Sequence, residues 1–415
     1  MTVLSKTPPA AATRRTGGVW LAAVLLISAL NLRMAVAALS PVLDTVQREL
    51  GLSSTVAGLL TALPIMCFGL FALTTPRLIR RFGMERLLVL VMVVITAGIA
   101  LRVLPPLAAL FAGTAVIGAG IAVGNVLLPG LIKQDFAARA GLMTGLYSVS
   151  LSAGPALSAG LTVPIMHATG LGWRYAIALW GGVAVLAVIL LLPHAIRRPP
   201  LAPATSLARP KGLWKDPIAW MVTGFMGLQS LGFYSVVAWI PTLLQDHGMS
   251  AGRAGWVLSY STFPAIAMAL ITPLVIRGRS RRAAVLVVIA VAACGVGYLG
   301  LMAAPLSFTY LWMTFLGMGQ GMAISLALGF IVARAPDVHR AAHLSTMAQS
   351  AGYLIASTGP FGIGVLHEVT GGWTVPMITL TVILVPLLVA GLGASRDKYI
   401  TTDGDIRHPS LCGEN

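Results

Sequence analysis

Arg33 stands fifteenth in Val19–Leu39, an apolar run of the length that crosses a bilayer. A guanidinium at about mid-depth is expensive to bury and is generally retained for function. Its planar fork of donors suits a carboxylate, nitro, nitrate or cyanate group held by paired hydrogen bonds. No Asp or Glu falls in the core of any apolar segment of the chain, so the negative charge that Arg33 lacks is expected from a ligand or from water. The chemistry this predicts is recognition of a small anion or electron-rich polar compound, with Arg33 as the central cation. Nothing points to catalysis: the chain has no metal-ligand cluster, nucleotide loop or carboxylate pair. It is read as no enzyme, with no cofactor and no metal.

Further side chains are placed to help. Asn31 precedes Arg33 by two residues, about 200° round a helix, and is expected to bond a neighbouring helix or the ligand. Asn125 follows Gly124 and precedes Pro129, where it serves as an interhelical clasp or a ligand donor. Gln229 and Phe233 are spaced i, i+4 and share a helix face, with Tyr234 beside them. Phe233 lies 200 residues after Arg33, which suggests a clamp with a cation from one half and a ring from the other. Gln320 sits among Gly317, Gly319 and Gly321, and Gln349 and Tyr353 are again i, i+4. Tyr147, Ser150 and Tyr260 are additional candidates. The pairs Gly154-Pro155 and Gly359-Pro360 loosen their helices, as gate hinges or as static kinks. His167 and His367 occupy matching helix ends and read as structural caps.

The elements that must position these groups are helices in a membrane. The 415 residues are 57% hydrophobic and only 10% charged, far too few charges to cover a soluble surface. Apolar runs predict twelve spans, at 18–40, 55–75, 86–104, 107–132, 141–166, 174–193, 217–243, 253–275, 283–303, 307–333, 342–366 and 373–394. Pro41 and Pro241 are taken to end the first helix of each half. Of the 28 Lys and Arg residues, 23 fall on the side that holds both termini, which makes that side cytoplasmic. Arg48, Arg102, Arg174 and Arg253 are assigned to the opposite side, leaving Arg33 as the lone intramembrane cation. The net charge of +16 thus resides in short loops and does not form a nucleic-acid face.

An ordered repeat divides the chain. Gly51-Leu52-Ser53 answers Gly248-Met249-Ser250, Thr75-Pro76 answers Thr272-Pro273, and Gly154-Pro155 answers Gly359-Pro360. His167, Gly172 and Trp173 answer His367, Gly372 and Trp373. The reading is an all-α membrane protein of two pseudo-symmetric six-helix bundles, the major facilitator pattern, with its substrate site between the halves. The domains are a cytoplasmic tail (1–17), a first bundle (18–195), a Pro- and Arg-containing linker (196–216), a second bundle (217–395) and a cytoplasmic tail (396–415).

Particular stretches carry a closer resemblance. They are Leu32-Arg33, Pro41-Val42-Leu43-Asp44, Thr61-Ala62-Leu63-Pro64, Arg81-Phe82-Gly83-Met84-Glu85-Arg86, the run from Gly124 to Lys133, and Met347-Ala348-Gln349-Ser350 with Gly352-Tyr353. Together they resemble the cyanate/2-nitroimidazole transporter family of the major facilitator superfamily, nearer its nitroimidazole branch, over nearly all of 18–398. The resemblance implies a monomeric bacterial inner-membrane transporter for a small anion or a nitro-bearing heterocycle, in contact with lipid, by alternating access. Efflux of a toxic compound is the alternative; a membrane-embedded enzyme or a receptor fits less well. One departure stands out: where facilitators often carry Asp in the loop after the second helix, this chain has Arg80. Arg81, Glu85 and Arg86 are candidates for a substitute latch there, or for a simple positive anchor.

Overall fold

A computed structural model of the chain describes residues 18–136, 139–197, 212–276, 279–336 and 338–400. The expected tail 1–17, most of the linker 196–216 and the end of the tail 396–415 lie outside the described residues. Among the described residues all regular structure is helical.

The first span is α1 (Val19–Ala37), which stops short of Pro41; a 3-10 turn over Ser40–Val42 leads into a short amphipathic helix, α2 (Leu43–Leu50). Asp44 in the first turn of α2 and Arg48 in its last complement the helix dipole and pair with each other. Gly51, at φ 62°, closes α2 in the left-handed region that favours glycine. Next come α3 (Ser54–Phe71), capped by the Ser53 hydroxyl, then α4 (Thr75–Phe82), α5 (Met84–Val103), α6 (Leu107–Asp135) and α7 (Ala140–Thr169). The expected single helix at 174–193 is two, α8 (Trp173–Leu179) and α9 (Gly181–Arg197). The second half holds α10 (Pro217–Asp246), α11 (Ala251–Ile276), α12 (Ser280–Ala303), α13 (Thr309–Ala333), α14 (Val338–Thr370) and α15 (Thr374–Ser395).

Eleven spans are long and apolar enough to cross a membrane. The twelfth crossing is α14, 33 residues long, whose first half carries Arg340, His343, Ser345, Gln349 and Ser350 and is correspondingly less apolar. One sequence expectation is overturned: Pro241 does not end its helix. It lies inside α10, where it leaves the Val237 carbonyl without its helical donor, and the Ser40 hydroxyl of the first half donates to that carbonyl. Proline is tolerated inside membrane helices because side chains of this kind satisfy the freed backbone groups.

The packing is that of two interlocked halves. Helix α7 packs on α1 within the first half and on α11 of the second, while α14 packs on α10 within the second half and on α3 of the first. Close approach depends on small residues, as expected without a hydrophobic drive between helices in lipid. A Cβ at Gly154 would stand 2.3 Å from the Leu30 carbonyl oxygen, and one at Gly359 would stand 2.5 Å from the Ser235 hydroxyl and 2.9 Å from the Leu231 carbonyl oxygen. The expected loosening at Gly-Pro therefore coincides with a close helix–helix contact inside each half, and α7 and α14 run through Pro155 and Pro360 unbroken.

The repeat also reappears as bonds. Trp173 Nε1 donates to Glu49 at 2.6 Å, and Trp373 Nε1 donates to Asp246 at 2.8 Å. In each half an indole at the start of the last crossing is thus tied to a carboxylate at the end of the first.

Candidate functional site

Four helices bring rings and phenols to Arg33 on a fifth. On α1 the guanidinium, half-buried, donates from Nη1 to the Tyr234 hydroxyl of α10. It also lies over the faces of Phe68 of α3, at 5.9 Å, and Tyr234, at 5.7 Å, a cation–π arrangement. Tyr353 of α14 and Tyr147 of α7 are its other electrostatic neighbours. The rings support one another: Phe68 meets Tyr353 edge-on at 5.5 Å, Tyr234 meets Tyr353 at 6.4 Å, and Phe233 meets Tyr234 at 5.2 Å. A phenol oxygen that accepts from Arg33 still has its own O–H to donate. The cluster therefore presents several donors and a positive charge at one point. Among the described residues the ion pairs are Arg48–Asp44, Arg334–Asp397 and His367–Asp246, and none involves Arg33.

Arg33 is not the lone buried cation. Arg102, assigned by sequence to the outer loops, is 2% exposed within the last turn of α5. Its Nη1 donates to the Ala35 carbonyl of α1 at 2.6 Å and its Nε to the Thr114 hydroxyl of α6 at 2.9 Å. One turn from a helix end, an arginine can reach water or fold back into the bundle, and hydropathy does not distinguish the two.

The other expected site residues separate into two groups. Tyr234 and Tyr353 join Arg33 as described, whereas Phe233, expected to clamp opposite Arg33, packs against the Tyr234 ring. Asn31, expected to bond a neighbouring helix, is fully buried and neither atom of its amide has a partner. Asn125 is half-buried and its amide nitrogen is enclosed without a partner. Its neighbour Gly124 receives the Leu32 side chain of α1. Gln229 is used within its own helix, donating to the Ser230 hydroxyl at 2.6 Å and the Met226 carbonyl at 3.2 Å. Gln349 donates to Ser345 one turn earlier, at 3.0 Å. Gln320 lies beside Tyr298 of α12. Phe68, which sequence reasoning did not select, differs in no way from a packing phenylalanine until the fold sets it against Arg33.

Among the gate candidates, Arg81 is exposed and stacks over Phe82 at 5.3 Å, and Arg86 is exposed. Glu85 is buried and accepts from Gln134 of α6 at 3.3 Å.

The halves are tied most elaborately at the end that carries His367. There Ser54 of α3 shares a 3.0 Å hydrogen bond with His367 Nδ1, and the Thr55 amide donates to Glu368 at 2.8 Å. His367 Nε2 lies 3.8 Å from Asp246. Its ring stacks on Trp239 at 6.4 Å and leans on Trp373 at 4.1 Å. Trp239 Nε1 donates to the Pro360 carbonyl at 2.8 Å, and a Cβ at Gly364 would meet the Ser54 carbonyl oxygen at 2.4 Å. Burial holds the His367 imidazole below its ordinary value, with Asp246 pulling in the opposite direction. Closer to Arg33, the Ser40 hydroxyl donates across the halves to the Val237 carbonyl.

Comparison with known proteins agrees with this architecture. The chain matches the family model of the Major Facilitator Superfamily over residues 25–360 and 228–403. It is 39% identical to the 2-nitroimidazole transporter of Escherichia coli (strain K12), over 92% of this chain and 96% of that protein. It is 40% identical to the uncharacterized transporter YycB of Bacillus subtilis (strain 168), over 92% and 94%. The cyanate transport protein CynX of Escherichia coli (strain K12) is 29% identical over 89% and 95%. In fold it resembles a bacterial homologue of the human lysosomal transporter Spinster (TM-score 0.72, 16% identity, 91% of this chain and 96% of that one). It likewise resembles a D-xylose–proton symporter (TM-score 0.67, 14% identity, 92% and 99%). With eleven apolar spans and one further membrane-length helix, the protein is a multi-pass membrane transporter of small molecules and not an enzyme. By sequence and by fold, the chain belongs to the major facilitator superfamily and, within it, to the cyanate/2-nitroimidazole transporter family, on the nitroimidazole branch.

Proposed function

We propose that the protein moves a small anion or electron-rich polar compound, of the cyanate, nitrate, carboxylate or nitroimidazole kind, across the bacterial inner membrane by alternating access, with Arg33 as the cation that holds it. The observation that carries this reading is a guanidinium at mid-span surrounded by phenols and ring faces, with no carboxylate paired to it among the described residues. An unpaired charge in a low-dielectric interior is costly, and an arriving anion relieves that cost. Arg33 and the hydroxyls of Tyr234, Tyr353 and Tyr147 would converge as donors on the ligand. The names of two relatives, one a 2-nitroimidazole transporter and the other a cyanate transport protein, favour these substrate classes.

On the same reading, residues 18–195 and 217–395 rock as two bundles within one monomer, surrounded by lipid, with both tails and the linker on the cytoplasmic side. The Ser54–His367 end, opposite the basic loops, is then the outer gate, closed here. The pairs Gly154-Pro155 and Gly359-Pro360 are the flexing points, and the Arg81–Arg86 loop is the inner latch.

The test is binding of cyanate and of 2-nitroimidazole to the purified protein, wild type against Arg33→Ala and Arg33→Lys. Loss of a charged, bidentate contact is expected to weaken binding about 10- to 100-fold in the alanine variant. Lysine is expected to restore only part, since it has no fork. Unchanged affinity in a folded Arg33→Ala protein would overturn the reading.

A further inference from the structure

We propose that Arg102 anchors a second anion subsite, a transit station between Arg33 and the closed end of the bundle, sized for an anion of a few atoms. The proposal rests on the anion reading above, and its test separates the two.

Arg102 is as buried as the hydrophobic core around it. The acceptors that hold it, the Ala35 carbonyl and the Thr114 hydroxyl, are both neutral, and Thr114 passes its own hydrogen bond to the Leu110 carbonyl at 2.7 Å. These bonds occupy two of the five N–H groups of a guanidinium and cancel none of its charge. No ion pair involving Arg102 occurs among the described residues. Fixing α5 to α1 and α6 requires donors and no formal charge, so the structural role leaves the positive charge unexplained.

The position of that charge gives it a use. Arg102 lines a small cavity with Ser40, Thr61 and Tyr234, walled otherwise by apolar groups such as Ile65 and Val237. The cavity has room for little more than one or two water-sized groups. Tyr234 is common to both places: its hydroxyl takes the Arg33 hydrogen bond, and its side chain lines the cavity. Ala35, which holds Arg102, is two residues beyond Arg33 along α1, about 3 Å of helix rise. The Ser40–Val237 bond closes the halves at the same cavity. An anion released from Arg33 toward the closed end would therefore meet a second cation before it met the seal, inside apolar walls that strengthen the attraction. A ring-bearing ligand would not fit in this state.

The test is a calorimetric titration of the purified protein with sodium cyanate, for wild type, Arg33→Gln, Arg102→Gln and the double variant, with 2-nitroimidazole titrated in parallel. Wild type is expected to take up two cyanates per chain, each single variant one, and the double variant none. The lost site should be at least about 100-fold weaker. Binding of the neutral ring should be unchanged by Arg102→Gln; equal loss of both ligands would mark Arg102 as merely structural and overturn the proposal. Two cyanates bound unchanged by Arg102→Gln would also overturn it, whatever Arg33→Gln does. If instead Arg33→Gln alone leaves both sites intact, the reading of Arg33 fails and the Arg102 site stands. Should Arg102→Gln not fold, bromide soaked into crystals of the wild-type protein decides: an anomalous peak beside Arg102 is expected, and its absence overturns the proposal.

Discussion

In the first half of the molecule α1 and α5 bring Arg33 and Arg102 into the interior; in the second half α10 and α14 bring Tyr234 and Tyr353 to Arg33, with Phe233 behind the Tyr234 ring. The scaffolds are nevertheless matched, down to an indole–carboxylate bond in each, Trp173 to Glu49 and Trp373 to Asp246. Their outer ends also differ. His167 is exposed, whereas His367 is stacked between two tryptophans and bonded to Ser54 across the halves. A duplicated frame conserves the bonds that hold helices together, while charge and polarity are free to diverge between the copies. In this chain the first copy supplies Arg33 and Arg102 together with Phe68 and Tyr147, and the second supplies Tyr234, Tyr353 and the stacked histidine.

The strongest attack on that division is to move the charge. Phe233→Arg combined with Arg33→Phe should leave cyanate affinity at least about tenfold below wild type, because the Tyr234 hydroxyl is bonded toward α1, whereas Phe233 meets Tyr234 ring to ring. Full recovery would make the two halves interchangeable. Next in size is the packing of matched glycines. Gly154→Ala drives a methyl to 2.3 Å from a backbone oxygen, whereas Gly359→Ala meets a serine hydroxyl that can turn away and a backbone oxygen only at 2.9 Å. Thermal unfolding in detergent should show about 2–3 kcal/mol lost for Gly154→Ala and about 1 kcal/mol for Gly359→Ala.

Smaller again is the indole pair. Trp173→Phe and Trp373→Phe each forfeit one bond to a carboxylate, about 1.5 kcal/mol or more. Trp373→Phe should cost about 1 kcal/mol beyond that, through its contacts with His367 and Trp239. Equal melting points for the two variants would show that the aromatic stack adds nothing.

The smallest effect is the response of the His367 end to pH. His367 faces Asp246 from α10 and Ser54 from α3, and its charged chain neighbour Glu368 accepts from the Thr55 amide of α3. Burial dominates and lowers its proton affinity, so the folded protein binds the proton less readily than the unfolded chain. The contribution of neutral His367 is therefore complete above its ordinary value of 6.5 and is lost as pH falls below it. The melting-point difference between wild type and His367→Gln should be flat from about pH 8 to 7 and should turn against wild type toward pH 5. A difference that grows in favour of wild type would mean that Asp246, not burial, controls the site.

Sequence disclosed the frame and the first cation because both depend on coarse quantities: apolar length, loop charge and the cost of a mid-span guanidinium. The aromatic partners Tyr234 and Tyr353 could be named because a membrane interior offers few polar side chains from which to choose. Arg102 was misassigned because one turn of helix separates loop from bundle. Gln229 and Gln349 were credited with the site because i, i+4 spacing marks a helix face and says nothing of a hydroxyl one residue or one turn away that captures the amide. Pro241 read as a terminator because proline usually is one in water, whereas α10 runs on to Asp246.

If the protein works as proposed, the lack of a carboxylate paired with Arg33 among the described residues has an electrical consequence. With a monovalent anion aboard, the central site is neutral, and its passage from one face of the membrane to the other is indifferent to voltage. Empty, the site carries a net positive charge through the field, at about 2.3 kcal/mol per 100 mV. A negative interior then resists the outward return of the vacant carrier, and its cycle runs fastest when a second anion rides back in place of the first.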